Sequence, residues 1–275
     1  MTEMIKDIVY ATQSPTQKLD VYLPEGVKGP FPVLVWLHPG GFGTGDKDWA
    51  KNTPDKYSER GYATVAPNYR LAGESRFPAQ IFDAKAVVRW VRANAEKYNF
   101  NTRKIAAWGI APGGTLAALL GTTTGVKELE DLSMGNSNES SAVDAVVDWF
   151  GTTDFLTLNA QRNQVSQKPV PEDEKAPVAL MFGGLAAQVP ELYKAASAIR
   201  YVHAKCPPFY IEHGKTDEAI PYFQSVNFAA TLEAFIGKEK VELHVYENAD
   251  HFSKIHGSPE NFNASMDFLA KHLIK

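Results

Sequence analysis

Apolar residues along this chain of 275 residues fall into two repeating patterns. Short β-branched or aromatic runs at 19–23, 32–37, 62–66, 104–108, 145–149, 208–212 and 241–246 read as strands. Between them, apolar residues at helical spacing predict helices. One covers 81–98 and carries Ala84, Val87, Val88, Val91 and Ala95 on one face. A second, at 115–120, is apolar on most sides, as a helix buried behind a strand would be. Two more amphipathic helices cover 223–236 and 258–274. Strands alternating with helices predict an α/β fold with a mostly parallel sheet covered on both faces. In such sheets ligands gather at the carboxyl ends of the strands. Two segments break the alternation. Residues 125–144 are polar and read as a surface excursion. Residues 155–192 are irregular and read as a small cap inside a single domain spanning 1–275.

Composition narrows the function classes. With 44% hydrophobic and 22% charged residues, the chain can bury a sizeable core. A net charge of −4 supplies no basic footprint for nucleic acid and no polybasic patch for a membrane surface. No apolar run approaches the ~20 residues of a membrane span. The first residues lack a charged and then apolar leader, so a cytoplasmic protein is expected, although a trimmed secretory chain would look the same. The one cysteine, Cys206, cannot form an internal disulfide and reads as a buried, inert thiol.

The candidate chemistry lies just after predicted strands. His38-Pro39-Gly40-Gly41-Phe42 follows the second run, and consecutive glycines there let backbone N–H groups point into a site. Gly109-Ile110-Ala111-Pro112-Gly113-Gly114 has the frame of a nucleophile elbow, G-x-S-x-G, with alanine where serine belongs. Pro112 lacks the N–H that normally serves as an oxyanion donor at that place. Proline also biases the residue before it toward extended backbone, so Ala111 is expected to leave the strained elbow conformation. Asp217, in His213-Gly214-Lys215-Thr216-Asp217, is placed to orient a histidine, and His251, in Ala249-Asp250-His251-Phe252, is placed to act as base. His213 reads as structural and His256 as surface. His213, Asp217 and His251 have no recognised metal-ligand spacing. Phe42, Trp49, Phe155 and Phe182 are candidates for either pocket or core.

The order nucleophile position, Asp, His is that of the α/β-hydrolase triad. Together with Asn68-Tyr69-Arg70-Leu71, the 83–95 segment and Arg89-Trp90, these motifs resemble a bacterial carboxylesterase of the α/β-hydrolase fold, in the hormone-sensitive-lipase-like and feruloyl- or acetyl-esterase-like branch. The resemblance runs from about residue 19 to the C-terminus. It implies an eight-stranded sheet, no cofactor, and a small-molecule ester substrate. By analogy with such relatives the last helix is a candidate homodimer surface. The chain departs from the pattern at Pro39, Ala111, Pro112, Thr115 and Ala198. Departures gathered at the site, on an otherwise typical scaffold, point to an engineered pocket. Three functions stay open: an inactivated or redesigned catalyst with His251 and Asp217 as general base, an esterase with a displaced nucleophile at Thr115, Ser197 or Ser225, and a non-catalytic ligand-binding protein.

Overall fold

Strand β3 (Phe31–Leu37) shows why the sheet is covered on both sides. Only Pro32 of its seven residues is partly exposed. Val33, Val35 and Leu37 enter one core cluster, whereas Leu34 and Trp36 enter the other. Alternate side chains of a strand point to opposite faces, so a continuous apolar run needs a layer on each side. A computed structural model describes residues 2–52, 54–165 and 172–274. Its strands are β1 (Thr2–Val9), β2 (Lys18–Pro24), β3, β4 (Ala63–Pro67), β5 (Phe100–Ile110), β6 (Ala145–Trp149), β7 (Phe209–Gly214) and β8 (Val241–Tyr246). They form one sheet in the order β1-β2-β4-β3-β5-β6-β7-β8. The β1–β2 and β2–β4 pairs are antiparallel and the remaining pairs are parallel.

The helices are α1 (Pro54–Glu59), α2 (Ala79–Ala93), α3 (Ala95–Tyr98), α4 (Pro112–Thr122), α5 (Leu158–Val165), α6 (Pro177–Phe182), α7 (Pro190–Ala195), α8 (Phe223–Ile236) and α9 (Pro259–Leu273). Residues of α2, α4 and α8 pack into one core cluster, and those of α1 and α9 into the other. The seven runs read as strands each overlap a strand. β1 was not anticipated, because its residues are half-buried or exposed without clean alternation. A register irregularity between Ile5 and Ile8, with Asp7 at φ 57, breaks its period.

Two expectations about helices and loops need correction. The 81–98 pattern is not one helix. It breaks at Asn94, whose side-chain Nδ2 donates to the Trp90 carbonyl at 2.9 Å and competes with the helical ladder. The 125–144 segment is not simply a polar surface loop. Leu129, Met134 and Val143 are buried, and Glu130 turns inward to Arg89 and to Lys85, whose Nζ lies 3.3 Å away. Ser141 Oγ donates to the same carboxylate at 2.7 Å. A buried charged pair on α2 thus receives its counter-ion from a segment that looks polar in sequence.

The fold also buries acids that the sequence left unremarked. Asp148 on β6 is fully buried, accepts the Gly151 N–H at 2.9 Å through Oδ1, and leaves Oδ2 without a partner among the described residues. Burial pushes its carboxyl up to about 7. A carboxyl raised in the folded state contributes stability that is full below the ordinary carboxylate range. That contribution is lost as pH rises through about 7. Asp148→Asn is therefore expected to remove roughly 1 kcal/mol of the stability difference between pH 6 and pH 8. Denaturant unfolding of both proteins at the two pH values checks this. An unchanged pH dependence in the variant contradicts it.

Candidate active site

Five strand ends converge on one side of the sheet. β3 runs into the 38–42 loop, β5 into the elbow, β6 into Phe150, β7 into Asp217 and β8 into His251. The elbow is a tight strand-to-helix turn. Its entry and exit depend on Gly109 and Gly113, since a Cβ on Gly109 would fall 1.9 Å from the Gly113 carbonyl oxygen. Ala111 sits at the tip with φ 53 and ψ −115. The relaxation expected from Pro112 does not occur. The Ala111 N–H donates to Trp149 O at 2.8 Å and its carbonyl accepts the Thr115 N–H at 3.0 Å, so sheet and helix fix the turn. Pro112 occupies the first turn of α4, where a missing N–H and a preset φ are compatible with the helix. Tertiary constraint on both sides outweighs the local preference of the residue before proline.

The histidine and the acid are in contact. His251 Nδ1 donates to Asp217 Oδ2 at 2.7 Å, which leaves Nε2 as the ring nitrogen free to accept a proton. Asp217 is fully buried, and its Oδ1 accepts the N–H groups of Ala219 and Ile220 at 2.8 Å each. Burial alone would raise this carboxyl. Hydrogen bonds from His213 and His251 outweigh it and hold the group well below the ordinary carboxylate range. His213 is buried beside the acid, with Nε2 3.4 Å from Asp217 Oδ2. In the neutral ring its Nε2 donates to Ile220 O at 2.6 Å, and its Nδ1 accepts from Ser225 Oγ at 2.7 Å. His256 is not on the surface. It is buried, with Nδ1 2.9 Å from Glu212 Oε1 and Nε2 donating to Asp250 O at 3.2 Å.

Gly40 and Gly41 adopt φ 129 and 62, a region open to glycine. The Gly40 carbonyl accepts the N–H groups of Gly43 and Thr44 at 3.1 and 3.0 Å, while the N–H groups of Gly40 and Gly41 donate to no other described residue. The loop is braced from the 68–72 segment. Tyr69 OH donates to His38 O at 2.8 Å, and the Ala72 N–H donates to Phe42 O at 2.8 Å. Arg70 is in turn held by Asp83 of α2, with Nη2 2.8 Å from Oδ1. Burial lowers the His38 imidazole to about 4, so it is neutral here and stacks on Tyr69 at 4.1 Å.

Gly40, Gly41, Phe42, Ala111, Pro112 and His251 all line one cavity of about 680 Å³, and Asp217 lies buried behind His251. Trp49 and Phe155 line it as well, whereas Phe182 packs beneath against Phe77, Phe155 and Tyr193. Phe252, 88% exposed, and Trp49, 49% exposed, stand at its rim. Several lining residues escaped the sequence reading, Phe150 and Arg162 among them. Phe150 places its ring 5.0 Å from His251 and 4.4 Å from His256. It is the first residue beyond β6, the position where a strand-end rule would look for it. Arg162 of α5 also lines the cavity, and its segment carried no residue-level signal.

The other candidate hydroxyls are committed elsewhere. Thr115, Ser197 and Ser225 are buried, and none lines the cavity. Thr115 Oγ1 accepts the Thr152 N–H at 2.8 Å, and Ser197 Oγ donates to Tyr193 O at 2.8 Å. Cys206 is buried and its thiol is pushed up by that burial. Among the described residues, no group of three or more His, Cys, Asp or Glu side chains could hold a metal ion. No described helix is long and apolar enough to cross a membrane.

Residues 19–232 match the family described as BD-FAE. The chain is similar to Esterase LipQ of Mycobacterium tuberculosis, at 30% identity over 251 residues, covering 89% of this chain and 56% of that protein. It is similar to Esterase LipC of the same organism, at 29% identity over 232 residues, covering 80% of this chain and 53% of that protein. It thus spans about half the length of these curated relatives. Among solved structures, a truncated form of a carbohydrate esterase from gut microbiota superposes with a TM-score of 0.87 at 28% identity, covering 99% of this chain and 97% of that one. A bifunctional GH43-CE protein of Bacteroides eggerthii superposes with a TM-score of 0.88 at 30% identity, covering 98% of this chain and 35% of that one.

Proposed function

The chain belongs to the BD-FAE family and has an α/β-hydrolase esterase scaffold, and from that premise we propose that it is a carboxylesterase deprived of its acyl-transfer nucleophile, with His251 and Asp217 left as a general base. The observation that carries this reading is the 2.7 Å hydrogen bond from His251 Nδ1 to Asp217 Oδ2 beside the cavity that Ala111 lines. The substrate class follows from the relatives, whose names make them esterases. The N–H groups of Gly40 and Gly41 are the oxyanion donors that remain once Pro112 has removed the third, and Phe42 is an aromatic wall. The whole chain is one α/β domain. Residues 155–192 form its cap, since Phe155, Leu158, Arg162, Ala176, Pro177 and Val178 line the cavity. Residues 166–171 of that cap lie outside the described residues.

The strain kept at Ala111 supports loss of a nucleophile from an elbow built for one. The adjacent placement of Ala111 and Pro112 supports deliberate removal, because drift scatters changes over a chain. The burial of Thr115, Ser197 and Ser225 favours loss over displacement. Without a hydroxyl the site retains one-step proton transfer. Nε2 takes a proton from an activated C–H or from water, and the buried carboxylate stabilises the imidazolium that forms.

The test uses 5-nitrobenzisoxazole, whose C–H proton is removed as its N–O bond breaks to release a phenolate. His251→Ala is expected to lower this elimination by about 10²–10⁴-fold, the usual contribution of a positioned base. An undiminished rate in that variant rejects the base role.

A further inference from the structure

Arg162 lines an apolar cavity and forms no ion pair with a described carboxylate. It lies on α5, is partly buried, and lines the cavity together with Phe42, Ile110, Phe155, Leu158 and Val178. Its Nε donates to Ala219 O at 2.7 Å, which pins the guanidinium and leaves the Nη groups without an acceptor among the described residues. No described carboxylate forms an ion pair with it, and the side chains outside the described residues include no acid. The acid whose charge it feels is Asp217, already committed to His251 and His213.

Two other arginines drawn out of water have carboxylate partners, whereas Arg92, partly buried on α2, donates to Ser140 O at 3.0 Å and does not line this cavity. Arg70 is paired with Asp83 and Arg89 with Glu130. An arginine stays protonated in a protein and presents a planar fork matched to a carboxylate. Withdrawing such a group partly from water is unfavourable unless an anion pairs with it.

We propose that this cavity selects esters that carry a second, free carboxylate, such as half-esters of dicarboxylic acids. The free carboxylate pairs with the Nη groups of Arg162 while the ester group lies toward Ala111 and His251. The inference rests on the reading of the cavity as an ester site. It adds a substrate class and a specificity-determining residue to that reading.

Binding to the unmodified chain tests it without interference from turnover. Calorimetry compares monobenzyl succinate with benzyl butyrate, in which a methyl group replaces the carboxylate. The chain is expected to bind the succinate at least about tenfold tighter. Arg162→Gln is expected to bring the two affinities within about twofold of each other. Arg162→Lys should keep part of the preference, since it retains the charge and loses the fork. Rising salt should weaken the preference in the unmodified chain, a readout independent of any variant's folding.

Equal affinities in the unmodified chain, or a preference that survives Arg162→Gln, overturn the role of Arg162 and leave the ester cavity standing. Failure of both probes to bind at millimolar concentration overturns the ester cavity and this inference with it.

Discussion

The double variant Ala111→Ser/Pro112→Ala is expected to hydrolyse 4-nitrophenyl acetate while the unmodified chain stays at the buffer rate. The backbone needs no rearrangement, because Ala111 already holds φ 53 and ψ −115 and is tied to Trp149 and Thr115 on either side. A hydroxyl added there enters a cavity that His251 also lines. Since His251 Nδ1 donates to Asp217, Nε2 is the nitrogen able to take the hydroxyl proton. Pro112→Ala returns an N–H at the first turn of α4, where it joins Gly40 and Gly41 as a donor. One oxyanion donor contributes on the order of 10²–10³ in kcat. Ala111→Ser alone is therefore expected to fall below the double variant by about that factor. Release of 4-nitrophenol from the three proteins, measured side by side, reads both effects. Comparable single and double variants would show that the Pro112 position contributes no donor.

Asp217→Asn, introduced into that double variant, is expected to lower kcat by about 10⁴ with little change in KM. The carboxylate can only accept, so it requires the proton on Nδ1 of His251. An amide can present its NH₂ instead, which favours the opposite tautomer and removes the acceptor from Nε2. The turn itself should survive. The amide oxygen can still accept the Ala219 and Ile220 N–H groups that Asp217 Oδ1 accepts at 2.8 Å. Steady-state kinetics together with a thermal midpoint separates the two roles. A loss of less than about tenfold at unchanged stability would mean that Asp217 does not orient the base.

Much of this arrangement was legible because each motif rides on a strong apolar strand. The runs ending in Leu37 and Trp149 are buried on both faces, and burial leaves an unambiguous apolar pattern in the sequence, while the run ending in Tyr246 is partly buried but keeps its β-branched and aromatic residues. Asp217 and His251 were readable from their places after β7 and β8. What escaped was whatever depended on partners distant in the chain. β1 is a half-exposed edge strand whose pairing with β2 leaves little periodic signal. Glu130 looks like one acid among several polar residues until Arg89 and Lys85 are seen facing it. His256 looks like a surface residue until Glu212 and Phe150 enclose it.

The error at Ala111 has the same origin. The influence of proline on the preceding residue is local and modest. The turn at 109–113 is dictated by a strand and a helix that are both buried. Phe150 and Arg162 became visible as site residues only once α5 and the end of β6 were placed around one cavity.

The most direct test of the vacated elbow is labelling with an alkyl fluorophosphonate, followed by intact-mass and peptide mass spectrometry. The unmodified chain is expected to remain unlabelled. Ala111→Ser/Pro112→Ala is expected to gain one adduct, on the peptide containing position 111. An adduct on the unmodified chain, at any residue, would place a working nucleophile elsewhere and contradict the account.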